Sequence, residues 1–223
     1  MQKFDTPAPV SAVLDIPAGR VRFIAADRAD TTVEILPADA TKARDVKAAE
    51  QTEVTYGDGV LRIETAAAKN RILGASGSVE VTVRLPAGSR VEAKAADAEL
   101  RGVGRLGDVA FEGGRATVRL DEAASTRLTV LAGDISVGRL AYPAEISTQK
   151  GDLHITEAVH GTVTLRTGHG DISVGAAHGV PASLDAGTDH GRIHNALGTT
   201  GGTGTALDIR ATTAYGDITA RGL

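Results

Sequence analysis

An all-β solenoid is the fold this sequence predicts, and three observations carry the prediction. First, a short phrase recurs from residue 133 onward. It reads Gly133-Asp134-Ile135-Ser136-Val137, Gly151-Asp152-Leu153-His154-Ile155, Gly170-Asp171-Ile172-Ser173-Val174, Gly191-Arg192-Ile193-His194-Asn195 and Gly216-Asp217-Ile218-Thr219-Ala220. The glycines are 18, 19, 21 and 25 residues apart, and Gly114-Arg115-Ala116-Thr117-Val118 fits a further step of 19 more loosely. Second, an alternating segment lies between successive phrases, as in Leu128-Thr129-Val130, Ala144-Glu145-Ile146, Val163-Thr164-Leu165 and Leu207-Asp208-Ile209. Third, the 223 residues hold 27 glycines but only three Phe, three Tyr and no Trp. That is a composition of slim side chains and many corners.

Each unit therefore reads as glycine, short strand, turn, short strand. Alternation at period 2 puts Ile172 and Val174 on one face, with Asp171 and Ser173 on the other. The leading glycine suits a corner where a Cβ would clash or a positive φ is required. Two short strands without a helix cannot bury a face alone, so the units must stack, one rung of about 18–25 residues each. An antiparallel sandwich of hairpins is the competing arrangement. The same residue types return at the same place in every unit, and Asn-Gly hairpin turns are missing. Both points favour a single-stranded, β-helix-like solenoid.

Residues 1–95 read as a less regular, strand-rich portion that continues or caps the repeats of residues 96–223, the whole forming one continuous domain. Ile16-Pro17-Ala18-Gly19-Arg20-Val21 is echoed by Leu85-Pro86-Ala87-Gly88-Ser89-Arg90-Val91. Val21-Arg22-Phe23, Val33-Glu34-Ile35, Leu61-Arg62-Ile63 and Val79-Glu80-Val81-Thr82-Val83 alternate as half-buried strands. The Ala- and charge-rich run from 39 to 51 follows Pro37 and predicts one short helix, with Asp39 as N-cap. Residues 66–78 read as a loop. A bare solenoid end exposes strand edges, so a cap is expected.

Composition excludes several classes of function. With no cysteine there is no disulfide framework, thiolate metal site or cysteine nucleophile. A net charge of −4 gives no general attraction to nucleic acid or acidic lipid, and so few aromatics offer little platform for bases or sugars. No stretch approaches a membrane span, and Met1-Gln2-Lys3-Phe4-Asp5-Thr6-Pro7 lacks a secretory apolar run, so a cytoplasmic chain is expected.

Leu85-Pro86-Ala87-Gly88 followed by repeated Gly-Asp-Ile-x-Val units between alternating strands resembles a bacterial β-strand-repeat family of unknown function, labelled "putative adhesins". The likeness covers most of the chain and is strongest from Val79 to Leu223. Richness in Ala, Gly, Arg and Asp resembles an actinobacterial, streptomycete-like member. The resemblance implies a β-solenoid and surface or envelope interaction, and it supplies no catalytic residues.

All six histidines lie between residues 154 and 194. Equivalent positions of stacked rungs are about 4.8 Å apart. On sequential stacking, His169 and His190 are neighbours in one corner column, His160 and His178 form a second pair, and His154 and His194 point outward two rungs apart. Such imidazole pairs could share zinc or copper with Asp171 as third ligand. The plainer reading is histidine tolerated at exposed corners. Asp134, Asp152, Asp171, Arg192 and Asp217 form a second column, its repulsion relieved by calcium, by backbone N–H donors, or by Arg192 pairing with Asp171 and Asp217. Lys69, Arg71, Arg84 and Arg90 read as a solvated basic face or a local patch.

No Gly-x-Ser-x-Gly, His-Glu-x-x-His or phosphate loop is present; Gly74-Ala75-Ser76-Gly77 lacks the Lys-Ser/Thr ending. The expectation is a non-enzymatic scaffold or adhesin-like protein that binds another macromolecule or itself, with no cofactor, nucleic acid or membrane insertion. A small-ligand or metal module at the His-rich rungs is the alternative. A polysaccharide-processing enzyme, served by paired carboxylates, comes third.

Overall fold

The computed structural model describes residues 1–65, 77–198 and 206–223. Residues 66–76 of the expected loop at 66–78, with Lys69 and Arg71 and most of the Gly74–Gly77 stretch, lie outside them. Contacts divide the chain into two compact units, Met1–Ala116 and Thr117–Leu223.

The first unit holds β1 (Gln2–Asp5), β2 (Ser11–Ala26), β3 (Asp30–Pro37), α1 (Ala43–Glu50), β4 (Thr52–Gly57), β5 (Val60–Thr65), β6 (Val79–Pro86) and the start of β7 (Arg90–Ala132). β2 is the organising strand because it turns a corner at Gly19. A Cβ there would strike the Val79 carbonyl, and φ is +150°. Before the corner, β2 pairs in parallel with β5; after it, with β6; and β7 runs parallel to β2 from Ser11 to Ile24. Alternation then sends Ala12, Leu14 and Ile16 inward on one side of the corner and Val21, Phe23 and Ala25 on the other. Burying one aromatic such as Phe23 contributes about 1.5–3 kcal/mol.

This parallel ladder ends in antiparallel strands. β3 covers β6, β1 covers β3, and β4 folds back on β5 through Asp58-Gly59. Those two residues have φ of 51° and 75°, a two-residue hairpin with the positive angles its turn demands. The helix falls within the expected 39–51, but its N-cap is Lys42, not Asp39. Asp39 instead accepts from the Thr41 N–H (3.0 Å) and Thr41 hydroxyl (2.6 Å) and pairs with Lys42, closing the turn before the helix. Buried Asp45 of α1 accepts the Ser78 N–H at 3.0 Å, which ties the helix to the start of β6. The two Pro-Ala-Gly phrases are echoes of text and not of position. Ile16 pairs with Ala95, whereas Leu85 pairs with Ala25.

The second unit takes the end of β7 and then β8 (Ile135–Leu140), β9 (Ala144–Lys150), β10 (Leu153–Ala158), β11 (Gly161–His169), β12 (Ile172–Ala176), β13 (Ala182–His190), β14 (Ile193–Ala196), β15 (Leu207–Tyr215) and β16 (Ile218–Gly222). Every pairing within it is parallel, with a register shift between Ile155 and Ala158 where β10 meets β12. One set runs β7, β9, β11, β15, β13; the other runs β7, β8, β10, β12, β16, β14. Parallel stacking is what a solenoid requires and a hairpin sandwich forbids. Val163, Leu165, Ile172, Val174, Ile209, Ala211, Ile218 and Ala220 fill the interior at 0–1% exposure.

The rung order departs from sequential stacking. β15–β16, last in sequence, sits between β11–β12 and β13–β14. A further correction concerns Gly114. Val118 pairs with Ile135, so the residue level with Gly133 is Ala116, two positions later.

Candidate functional site

The corner of each second-unit rung is built from four positions, and the inserted rung decides what they bring together. Gly151, Gly170 and Gly216 have φ of +145°, +148° and +147°, and a Cβ on any of them would strike the glycine carbonyl of the adjoining rung. The glycine is thus required twice over, by backbone angle and by close approach.

Three residues before the glycine stands a threonine in four of the corners: Thr148, Thr167, Thr188 and Thr213. The hydroxyls of Thr167, Thr213 and Thr188 donate to the carbonyls of Gly151, Gly170 and Gly216 at 3.0, 3.1 and 3.0 Å. Each crosses to the next rung. This ladder went unnoticed in the sequence, although the Thr-x-x-Gly spacing was there to be read.

The aspartate column exists, but in another order: Asp134, Asp152, Asp171, Asp217, Arg192. Asp152, Asp171, Asp217 and Arg192 each donate their backbone N–H to the preceding member's carboxylate, at 2.9, 2.8, 2.7 and 2.8 Å. The turn hydrogen bonds are therefore the device that satisfies the stacked carboxylates. Arg192 pairs with Asp217 at 3.0 Å and lies beyond it from Asp171, which corrects the expected double pairing. The Arg192 N–H, and then its guanidinium, hold the Asp217 carboxyl below the usual carboxylate range.

The same reordering separates His169 from His190. Tyr215 pairs with both residues and its ring lies between theirs, with centroids 4.8 Å from His169 and 4.7 Å from His190. The planes are 10° and 16° apart, a three-ring stack. Lys150 is level with His169 on the far side from Tyr215. The intervening phenol corrects the expectation that these two imidazoles are immediate neighbours. Nothing in the sequence order of the glycines revealed Tyr215.

The other histidines are also placed. Ala158 and Ala176 are level, but His160 makes no ring contact with His178, whose Nδ1 lies 2.7 Å from the Leu223 carbonyl oxygen. His154 and His194 point outward three rungs apart, not two, with Ser173 and Thr219 in the column between them. Among the described residues no group of three or more His, Cys, Asp or Glu converges as a metal ion requires.

Parallel rungs, one-glycine corners and repeated side-chain columns define a β-solenoid repeat protein. The chain belongs to the Toastrack DUF4097 family, a domain of unknown function, whose pattern matches residues 13–222. Similar solved structures include a "putative adhesin" from Bacteroides fragilis, 11% identical with a TM-score of 0.54, covering 98% of this chain and 95% of that one. Another, from Parabacteroides distasonis and of the same description, is 14% identical with a TM-score of 0.46 over 98% and 95% of the two chains. A "putative cell adhesion protein" from Clostridium sporogenes is 12% identical with a TM-score of 0.40 over 100% and 98%. No curated protein matches the chain.

Proposed function

We propose that this chain is a non-enzymatic β-solenoid scaffold that binds another macromolecule, or its own kind, through its strand surfaces and ladder edge. One observation carries the reading. β13 and β14 close the second unit's ladder with an outer edge that pairs with no strand among the described residues. A row of unpaired N–H and C=O groups backed by a regular solenoid is a surface made for adding a strand. The description of the Bacteroides fragilis protein agrees with an adhesive role. No helix among the described residues is long and apolar enough to cross a membrane.

A tagged pull-down from soluble and membrane extracts of the native organism, read by mass spectrometry, tests this reading. A stoichiometric partner supports it and also reports the compartment. Recovery of monomeric bait alone counts against it. The second reading, a ligand at the His-rich rungs, draws on the exposed His169–Tyr215–His190 stack. Unchanged thermal stability on zinc or copper addition, in the wild type and in His169→Ala/His190→Ala alike, removes its metal form.

A further inference from the structure

The outer rung uncovers residues that its neighbours bury. Leu184 is level with Ile209, Ala186 with Ala211, and Ile193 with Ile218, and all three inner partners are fully buried. Leu184 and Ala186 are only half-buried, and Ile193 is 46% exposed. The edge thus offers both a backbone that is unpaired among the described residues and an uncovered part of the apolar column.

We propose that this edge pairs with the same edge of a second copy of the chain, the two β13 strands running antiparallel about a two-fold axis at Ala186. The proposal rests on the scaffold reading above and names its partner. Ala186 is the midpoint of β13, so this register pairs the whole strand, and charge excludes the two adjacent registers. Centring on Asp185 would set that carboxylate against itself, and centring on Gly187 would set Asp185 against Asp189; like charges directly opposite destabilise a sheet. Centring on Ala186 sets Asp185 against Gly187, and Asp189 against Ser183, an uncharged residue whose hydroxyl donates to Asp208 of its own chain. In the row of Leu184 it sets Leu184 against Thr188, and Ala182 against exposed His190, the last ring of the stack. Arg192, already paired with Asp217, adds no unbalanced cation to the seam.

The chemistry of the other edges favours a closed pair over a growing filament. Head-to-tail stacking needs a second open parallel edge. The described strands of the first unit end instead in antiparallel β1 and β4. An interface that uses one surface twice is isologous and closes. Nine strand residues span about 30 Å, less than a standard interface, so the pair is expected to be weak and concentration-dependent.

The absence of cysteine makes the test clean. Ala186→Cys sits on the proposed axis and should form an intermolecular disulfide under mild oxidation. Glu145→Cys, exposed on β9, should not. Sedimentation of the unmodified full chain should show a monomer–dimer equilibrium, and Gly187→Asp, which sets a carboxylate opposite Asp185 of the second copy at a position with open space around its Cβ, should weaken it about tenfold. Circular dichroism of each variant, and the second edge variant Leu184→Lys, separate a lost interface from a lost fold. A wild-type chain that stays monomeric, or Ala186→Cys that cross-links no faster than Glu145→Cys, overturns the pairing. A monomer that still captures a stoichiometric foreign partner overturns only the self-pairing, whereas a monomer with no partner ends the scaffold reading as well.

Discussion

The first and second units solve the same problem, how to keep stacked strands together, with different means. In the second unit one corner recipe is repeated: a threonine hydroxyl to the next glycine carbonyl, and a backbone N–H to the next aspartate. In the first, the devices differ from place to place. Gly19 turns β2, Asp58-Gly59 turns β4 into β5, and Asp45 holds Ser78. Repetition propagates a ladder but gives no instruction to stop. Stopping is what the singular devices of the first unit provide, by reversing strand direction and adding a helix. The difference teaches why, among the described residues, no terminating device follows the repeated rung β13–β14.

The sharpest way to break this contrast is at a corner. Gly170→Ala places a methyl against the Gly151 carbonyl at a φ of +148°, and should destabilise the protein by about 3 kcal/mol or more in denaturant unfolding. Gly59→Ala has open space around its Cβ and a φ of +75°, so it should cost only about 1–2 kcal/mol. Equal losses at the two sites would show that close approach between rungs is unimportant.

Next comes the interior rung against the outer one. Ile209→Ala empties a fully buried position and should cost about 3–4 kcal/mol, while Leu184→Ala at the same column level in half-buried β13 should cost about 1 kcal/mol. Comparable values would mean that the outer rung is covered in solution. Thr167→Val, which keeps shape and deletes the hydroxyl donor, should cost about 1–2 kcal/mol by thermal unfolding.

The smallest effect is electrostatic. The Asp217 carboxyl is held below its usual range, so its contribution is complete above the unfolded value of about 3.9 and is lost as pH falls through the lower folded value. Asp217→Asn should therefore lower stability slightly at neutral pH, where the carboxylate is ionised, with the difference from the wild type shrinking as pH falls through the acid range. A loss as large at the acid end of the profile as at pH 7 would refute the assignment.

Much of this architecture was legible from residue types. The Gly-Asp-Ile-x-Val phrase revealed the rungs because the close approach at Gly151, Gly170 and Gly216 admits only glycine and the interior only alternating aliphatics. The helix was visible in the charge and alanine content of 39–51, yet its cap was misplaced because Asp39 found closer donors in Thr41. The order of the rungs was not legible. Gly191 and Gly216 satisfy the same local rule, and nothing local says which one adjoins Gly170. That single ambiguity displaced the expected histidine pair and the expected Arg192 partners, while leaving every strand and every inward residue of those rungs in place.

The inserted rung also has a mechanical meaning. Tension applied at residue 223 acts on β16 and β15, which are gripped by a parallel strand on each side. Such a rung cannot be peeled from an edge one hydrogen bond at a time. It must be sheared out from two interfaces at once, so the load is shared along its whole length. Had the rungs stacked in the order in which they are written, the same pull would have unzipped the molecule from its outermost strand.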